Sequence, residues 1–243
     1  MICAILTLFP GALKPYLDES ILRIAQDSGK LQLELVDFRD YTTDPHRKVD
    51  DRPFGGGPGM VLKPEPIFDA VEATERKHGQ MHKILLCPRG TTFTQKRARE
   101  LSKLDRVLFL CGRYEGFDER IRLGMDWEEI SIGDYVIAGG ELAALVVLES
   151  MVRLVPGVLG CEQSQELESF ENGMLDWPQY TRPREYRGMV VPDVLLSGNH
   201  QEVERWRLLQ AQALTACRNA CSASQASPLR PSPALPPRLP NEP

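Results

Sequence analysis

The hydrophobic residues of this 243-residue chain fall into short runs separated by segments of helical period. Runs rich in Val, Ile and Leu, with the length and composition of buried strands, occupy residues 2–9, 31–38, 83–87 and 107–111. Strands that alternate with helices usually form a parallel sheet covered by those helices. The pattern therefore predicts an α/β domain, which we place at residues 1–159.

Four segments have the period of helices, and two of them carry residues that suit helix ends. Gly29 is placed to end the first helix, because glycine readily adopts the left-handed conformation that follows a last turn. Thr94 is placed as the N-cap of the third helix. The predicted helices span residues 15–28, 65–77, 94–103 and 140–154.

The character of the chain changes after Pro156. Residues 160–173 are polar and acidic with little periodicity, which predicts a linker between domains. Residues 174–219 are predicted to form a small, mainly helical C-terminal domain, with an amphipathic helix at roughly 200–218. The tail at 220–243 consists mostly of Ser, Ala, Pro and Leu, and we expect it to be disordered.

The distribution of charge bears on whether the protein binds nucleic acid. The formal net charge of -5 argues against a protein that coats nucleic acid indiscriminately, and we expect no DNA partner. Basic residues nevertheless cluster at 89–106 and again at Arg182, Arg184 and Arg187. Such clusters are either solvated surfaces or the places where a selective RNA enzyme meets phosphates.

The sequence predicts neither a membrane-spanning segment nor a metal site. No apolar run reaches the roughly 18 residues of a membrane span, and the first residues fit a buried strand better than a signal peptide. The six cysteines form no Cys-x-x-Cys pair, which predicts buried thiols in a reducing, cytoplasmic compartment. His78 and His82 have helical spacing but lack the partners of a zinc site, so we predict no metal ligands.

Glycine-bearing segments are the candidates for ligand binding. Neither a G-x-G-x-x-G sequence after the first strand nor a Walker A sequence is present. Three loops at 85–95, 111–120 and 130–145 lie directly after or beside strands, where ligands bind in open α/β sheets. The alternative is that they are ordinary turns with close packing. A fourth segment, DDRPFGGGPGM at 50–60, is either functional or a Pro-Gly turn cluster that holds a long connection.

Six motifs in order carry a family resemblance. The chain contains DYTTDPHRKVDDRPFGGGPGM, LCGRYEGFDER, EISIGDYVIAGGELAALVVLE, VPGVLG, PQYTRP and VLLSGNH. Together they resemble the bacterial tRNA (guanine-N1)-methyltransferases of the TrmD family, in the SPOUT class, from residue 1 to about Arg218. The resemblance implies a homodimer, a deep trefoil knot in the α/β domain, and methyl transfer from S-adenosylmethionine to the guanine at tRNA position 37.

The resemblance also assigns binding residues. The donor pocket would consist of Leu85, Leu86, Pro88, Gly112, Tyr114, Glu115, Ile132, Gly133, Tyr135, Ile137, Gly139 and Gly140. Residues that approach the target guanosine would be His46, Asp50, Arg52, Pro58 and Gly59, and the C-terminal domain would grip the anticodon stem-loop with Asp176 and Arg182. The linker of one subunit would close over the donor pocket of the other. A Mg²⁺ requirement is implied as well, although no carboxylate cluster has metal-site spacing.

Methylation of guanine N1 requires a base for the N1 proton and a cation or donor near O6. By resemblance the arginine is Arg153, for which an i,i+4 ion pair with Glu149 is the structural alternative. The base would be Glu168, oriented by Ser169, in a sequence Glu-Ser-Phe where the family has Asp-Ser-Phe. Glu166 is the second candidate base. Two alternatives stay open: a knotted RNA methyltransferase of other specificity, and a catalytically weakened RNA-binding homologue, which the change from Asp to Glu would favour.

Overall fold

The computed structural model describes residues 1–159, 168–170 and 172–224. The chain divides into two compact units, residues 1–165 and 166–243, so the division falls inside the predicted linker. Most of that linker, including the candidate base Glu166, lies outside the described residues, and so does the predicted tail from residue 225 onwards.

A five-stranded parallel sheet forms the centre of the first unit, which confirms the predicted α/β fold. The strand order is β2-β1-β6-β5-β7. Two further strands of two residues each, β3 and β4, pair antiparallel outside this sheet. The strands are β1 (Ile2–Thr7), β2 (Gln32–Asp37), β3 (Asp50–Asp51), β4 (Val61–Leu62), β5 (His82–Thr92), β6 (Arg106–Cys111) and β7 (Trp127–Ser131).

Helices cover both faces of the sheet, as apolar parallel strands require. One hydrophobic cluster includes Leu13, Leu22, Leu101 and Val147 and packs α1, α2, α4 and α6 on one face. The other includes Ile67 and Ile121 and packs α3 and α5 on the opposite face. The helices are α1 (Pro10–Leu17), α2 (Ser20–Asp27), α3 (Pro64–His78), α4 (Gln95–Leu101), α5 (Glu119–Gly124) and α6 (Glu141–Val152).

Several predicted boundaries are wrong, each for a local reason. The predicted helix at 15–28 is two helices; Pro15 lies inside the last turn of the first, which it leaves without one backbone hydrogen bond, and Ser20 begins the second with a φ of 50°. Strand β7 was missed because Glu128 and Glu129 interrupt its apolar pattern. The predicted end signals are confirmed: Gly29 has a φ of 69°, and the Thr94 hydroxyl accepts a hydrogen bond from the Arg97 N–H at 3.3 Å.

The second unit combines a hairpin with a long helix. Strands β8 (Glu185–Tyr186) and β9 (Met189–Val190) pair antiparallel, and a 3₁₀ turn at Asp193–Leu196 precedes helix α7 (His200–Ser224). The helix continues into the first residues of the predicted disordered tail. The Leu175 N–H donates to Thr215 Oγ1 at 2.9 Å, and the Arg207 guanidinium lies over the Trp177 ring, so the segment before the hairpin is fixed to α7.

The cysteine and histidine predictions are partly corrected. Cys3 and Cys111 are buried, and burial raises the pKa of Cys3 to about 12, but Cys217 and Cys221 are exposed. His78 ends α3 whereas His82 begins β5, so they do not share a helix. Within the described part of the chain, no helix is long and apolar enough to span a membrane. The cytoplasmic location stays a prediction.

Candidate functional site

A cavity of about 460 Å³ opens at the carboxyl edge of the sheet, where β6 and β7 end and β5 is interrupted. Three glycine-bearing segments at these places supply its walls. We refer to them as the β5 loop (residues 87–90), the β6 loop (112–117) and the β7 loop (132–140). This is the position at which open α/β sheets bind ligands.

The β5 loop is a bulge inside a strand. Leu86 and Thr91 both pair with Ile130 of β7, so the four residues between them are extruded toward the cavity. Gly90 is necessary for this geometry, because a Cβ there would lie 2.4 Å from the Ile130 backbone nitrogen. Pro88 thereby reaches the cavity wall from a strand that the sequence pattern ended at residue 87.

The β6 loop turns sharply and holds its aromatic residue in a costly conformation. Tyr114 has a φ of 59°, in the left-handed region where a non-glycine residue is strained by about 1–3 kcal/mol. Gly112 packs against Phe117, whose ring would lie 2.9 Å from a Cβ at that position. Tyr114 and Glu115 are exposed and line the cavity.

The β7 loop is tied to the β6 loop by backbone contacts. The Gly140 N–H donates to the Gly112 carbonyl at 2.9 Å, and Arg113 and Gly139 form an antiparallel bridge. A Cβ on Gly140 would lie 2.8 Å from the Cys111 Cα, so the two loops approach as closely as glycine permits. Gly133 has a φ of 149° and lies under the Tyr135 ring.

The structure brings together every predicted donor residue except Leu85 around this cavity. Leu85 is fully buried in the core of the sheet, among Leu108 and Leu110. Successive side chains of a strand point to opposite faces, so Leu86 faces the other way and lines the cavity instead. The role of these residues in donor binding stays a prediction.

A charged network on one wall was missed by the sequence analysis. The Cys87 thiol donates to Glu129 at 2.8 Å, Arg122 pairs with Glu129 at 3.2 Å, and Arg89 pairs with Glu119 at 3.2 Å. Burial and the bond to Glu129 raise the pKa of the Cys87 thiol. Although burial alone would raise the pKa of Glu129, the bonds from Cys87 and Arg122 lower it. Cys87 is therefore a protonated thiol at neutral pH and not a nucleophile.

Two arginines of the basic stretch at 89–106 take part in ion pairs. Arg97 contacts both Glu100 and Glu128, and Arg89 contacts Glu119. These arginines hold elements of the first unit together, which favours the structural interpretation of this cluster over phosphate binding.

A second missed feature joins the β6 and β7 loops at the cavity wall, which Arg113 lines. Arg113 Nη2 lies 3.1 Å from Oε2 of the buried Glu141, and Thr7 Oγ1 donates to Glu141 Oε1 at 2.8 Å. The Arg113 guanidinium also lies 4.4 Å from the centre of the Phe9 ring, in cation–π contact. Sequence patterns could not reveal this group, because its members are brought together only by the fold.

The glycine-rich loop at 50–60 is bonded to the β6 loop. The Glu115 N–H donates to the Met60 carbonyl at 3.0 Å, and the Leu62 N–H donates to the Gly116 carbonyl at 2.9 Å. Gly59 has a φ of 80°, and a Cβ there would lie 2.4 Å from Glu115 Oε1. Glycine is thus required at position 59 within the chain itself, because any side chain there would collide with Glu115.

The predicted RNA-facing residues of this loop lie on the surface. Pro58, Arg52 and His46 are exposed, and Asp50 is half-buried in β3, paired with Leu62 of β4. Phe54 is fully exposed at the same loop and was not singled out from the sequence. An exposed aromatic side chain beside open glycine backbone is a signal that could have identified it.

The predicted catalytic residues belong to different units. Arg153 is half-buried and caps the C-terminal end of α6, while the Glu149 carboxylate accepts a hydrogen bond from the Tyr16 hydroxyl. Glu168 is half-buried in the second unit. Its neighbour Ser169 is hydrogen-bonded to Asp176, with Ser169 Oγ donating to the carboxylate at 2.8 Å.

The second unit carries an exposed basic and aromatic surface. Arg182 is exposed, and the Arg187 guanidinium lies 5.1 Å from the centre of the exposed Tyr186 ring. Arg184 pairs with Asp193 at 3.0 Å. Arg182 and Arg187 therefore fit an RNA-binding surface better than Arg184 does.

The chain is a parallel α/β protein with a cavity at the carboxyl ends of its central strands, where such folds bind small ligands. A family model described as tRNA (Guanine-1)-methyltransferase TrmD matches residues 1–220. The chain therefore belongs to the TrmD family, which confirms the resemblance found in its motifs.

Individual relatives agree with this assignment. Proteins named tRNA (guanine-N(1)-)-methyltransferase from Anoxybacillus flavithermus and Geobacillus kaustophilus are 56% identical over 204 residues and 55% identical over 203 residues, respectively. In both cases the match covers 84% of this chain and 83% of the relative. The crystal structure of a tRNA (m1G37) methyltransferase from Aquifex aeolicus is 40% identical, with a TM-score of 0.76, and the match covers 90% of this chain and 93% of that one.

Proposed function

We propose that this enzyme transfers the methyl group of S-adenosylmethionine to N1 of the guanine at tRNA position 37, beside the anticodon. The observation that carries the proposal is the cavity, whose three walls contain all but one of the residues assigned to the donor by family resemblance. Membership of the TrmD family supports the same activity.

The cavity suits this donor in size and chemistry. A volume of about 460 Å³ falls within the range of small-molecule pockets. Ile132 and Ile137 offer apolar surface for a nucleoside, and the Glu115 carboxylate suits a ligand with sulfonium and ammonium charges. Bound there, S-adenosylmethionine would supply a methyl carbon made electrophilic by the neighbouring sulfonium.

The side chains of this chain would handle the proton and the developing charge. Glu168 would accept the proton of guanine N1, whose freed electron pair forms the bond to the methyl carbon as the carbon–sulfur bond breaks. Arg153 would stabilise negative charge at guanine O6. Because Ser169 is bonded to Asp176 in this structure, it can orient Glu168 only if that bond rearranges when RNA binds.

The deep trefoil knot and the homodimer are part of the proposal. Exposed apolar side chains support self-association: Leu142 and Val146 lie one turn apart on α6, and Tyr16 is hydrogen-bonded to Glu149 of the same helix. An apolar helix face of this kind usually marks a protein interface. The linker of one subunit would then bring Glu168 to the cavity of the other, and the basic surface near Arg182 would hold the anticodon stem-loop.

The described residues offer no magnesium site built from protein side chains alone. Among residues 1–159, 168–170 and 172–224, no group of three or more His, Cys, Asp or Glu side chains could hold a metal ion. No step of the proposed reaction uses one.

Methyl transfer to defined transcripts tests the function. The purified protein should methylate a tRNA with guanine at positions 36 and 37, and analysis of the nucleosides should give 1-methylguanosine. The same transcript with adenine at position 37 should accept no methyl group. A methylated ribose, or donor binding without any methyl transfer, would contradict the proposal and favour one of the two alternatives.

The Glu168→Gln variant tests the base. It should bind donor and tRNA normally but lose at least about 100-fold in turnover, since general base catalysis typically contributes 10²–10⁴-fold. Glu168→Asp, which restores the family residue, should retain activity. Unchanged turnover in Glu168→Gln would remove this residue from the mechanism.

A further inference from the structure

We propose that Arg113 and Glu141 are a positioning pair that sets the width of the cavity and hence its affinity for the methyl donor. The inference rests on the proposed function, because it takes S-adenosylmethionine as the ligand of the cavity. Neither residue is among those that the family resemblance assigns to donor, RNA or catalysis.

The pair is largely removed from water, with side-chain exposures of 26% for Arg113 and 7% for Glu141. As a whole residue Glu141 is only 5% exposed, and its Oε2 contacts Arg113 Nη2 as an ion pair without the geometry of a hydrogen bond. Among the described residues, the buried Arg113 Nε has no hydrogen-bond partner either. Removing two charges from water costs free energy that their attraction seldom exceeds, so a buried ion pair is weak evidence for stabilisation. The ion pair is therefore better explained by the positions in which it holds its neighbours than by the stability of the fold.

What it holds in place is the approach of two cavity walls. Arg113 belongs to the β6 loop, and Glu141 begins α6 directly after the β7 loop. Arg113 Nη1 also donates to the Ala138 carbonyl in the β7 loop at 3.4 Å. A change in the ion-pair distance would therefore change the distance between the two loops on which the proposed donor lies.

The pair is fixed to the sheet through the end of β1. Thr7 Oγ1 donates to Glu141 and accepts a hydrogen bond from the Phe9 N–H at 2.9 Å, while the Phe9 ring lies against the Arg113 guanidinium. Contacts thus run from Phe9 through Thr7, Glu141 and Arg113 back to Phe9. Each side chain in this ring restricts the next, so the two loops have a common anchor in the sheet.

Gly139 gives a second line of support. A Cβ on Gly139 would lie 2.3 Å from Arg113 Nε and 2.5 Å from Glu141 Oε2. The backbone of the β7 loop therefore lies directly against the ion pair, and the separation of the loops depends on the pair's position.

A double-mutant cycle tests the inference. The dissociation constant for S-adenosylhomocysteine, the demethylated donor, would be measured by calorimetry on full-length Arg113→Gln, Glu141→Gln and the double variant. Each single change should weaken binding about tenfold. The double variant should bind no more weakly than the weaker-binding single variant, because the free-energy effects of substitutions at two residues in contact do not add. The KM for the donor should rise while kcat at saturating donor and tRNA stays within about threefold.

Additive losses in the cycle would overturn the inference, because they would mean that the two side chains act independently. The control is Arg120→Gln, which removes the exposed ion pair of Arg120 with Asp118 (2.8 Å) outside the cavity and should leave the dissociation constant unchanged. Unaltered protein that binds no S-adenosylhomocysteine would instead contradict the proposed function itself.

A second variant covers the case in which Glu141→Gln does not fold. Thr7→Val removes the hydroxyl that bonds to Glu141 and nearly conserves volume. It should weaken binding of S-adenosylhomocysteine in the unaltered chain and have no further effect in the Arg113→Gln background. A full, independent loss in that background would again overturn the inference.

Discussion

Phe54 is completely exposed in the glycine-rich loop, where it buries no apolar surface against the first unit. No atom lies within 4 Å of a Cβ built on Gly55, Gly56 or Gly57, so open backbone follows the ring. In an enzyme that binds RNA, such a ring is suited to stacking on a nucleobase next to the target.

Phe54→Ala should therefore raise the KM for tRNA by about tenfold or more, because stacking of one base contributes about 1–3 kcal/mol. The urea midpoint should not change, since the side chain is exposed. Steady-state methylation at saturating donor gives the KM, and Phe54→Tyr, which keeps an aromatic ring, is the matched control. An unchanged KM in Phe54→Ala would show that this loop does not stack on RNA.

At the scale of residues, the sequence allowed residues within a motif to be identified, but not contacts between residues that only the fold brings together. Tyr114, Glu115 and Gly140 could be named because they lie within recognisable loops. Arg113 and Glu141 lie in the same motifs and were passed over, because their contact with each other and with Thr7 exists only after three strand ends have met.

At the scale of elements, the position of α6 depends on Gly140, which has no side chain, at its junction with the β7 loop. A methyl group at Gly140 would lie 2.8 Å from the Cys111 Cα and 2.9 Å from the Gly112 nitrogen. Backbone atoms cannot rotate aside as a side chain can, so the start of α6 would have to move away from β6.

Gly140→Ala should therefore weaken binding of S-adenosylhomocysteine by about tenfold or more, a loss of at least about 1.4 kcal/mol. Calorimetry measures the effect. The control is Gly11→Ala in α1, where a Cβ meets no atom within 4 Å and the backbone needs no glycine. This control should bind normally and be slightly more stable, because alanine favours helix. Equal affinities in both variants would contradict the tight junction.

Strands and helices could be predicted where the apolar residues follow a single spacing, either that of a strand or that of a helix. The strands at 2–9 and 107–111 and the helices at 65–77 and 94–103 were placed within a few residues of their observed ends. Strand β7 and the continuation of β5 to Thr92 were not, because Glu128, Glu129 and the extruded 87–90 segment disrupt the apolar alternation. Their strand geometry comes from pairing with each other.

At the scale of the whole molecule, the proposed homodimer makes each active site a product of two chains. If Glu168 acts in the cavity of the partner, two inactive variants can complement each other when their subunits mix. A protein whose base and cavity act within one chain cannot recover activity in this way.

Mixing Glu168→Gln with Gly140→Ala should therefore restore activity after subunit exchange. About one quarter of the unaltered activity is expected, because random pairing makes half of the dimers mixed and each of these has one intact site. Methyl transfer would be measured before and after exchange, with each variant alone as the control. No recovery in dimers shown to be mixed would mean that Glu168 does not act across the interface.

The whole-molecule arrangement was the part that the residues alone could not supply. Alternating strands and helices predicted a parallel sheet, but nothing in a single sequence orders the strands as β2-β1-β6-β5-β7. Strand order arises from long-range packing, and the knot and the subunit interface entered only through family resemblance.

The extruded segment of β5 has a consequence for how ligands come and go. Sheet pairing with β7 resumes at Thr91 and Thr92 on the far side of residues 87–90, so this wall is held by strand pairing at both ends. Its movement would have to break that pairing, which favours ligand entry past the other walls. Holding a ligand against a wall that is already rigid also spares part of the entropy that association normally loses.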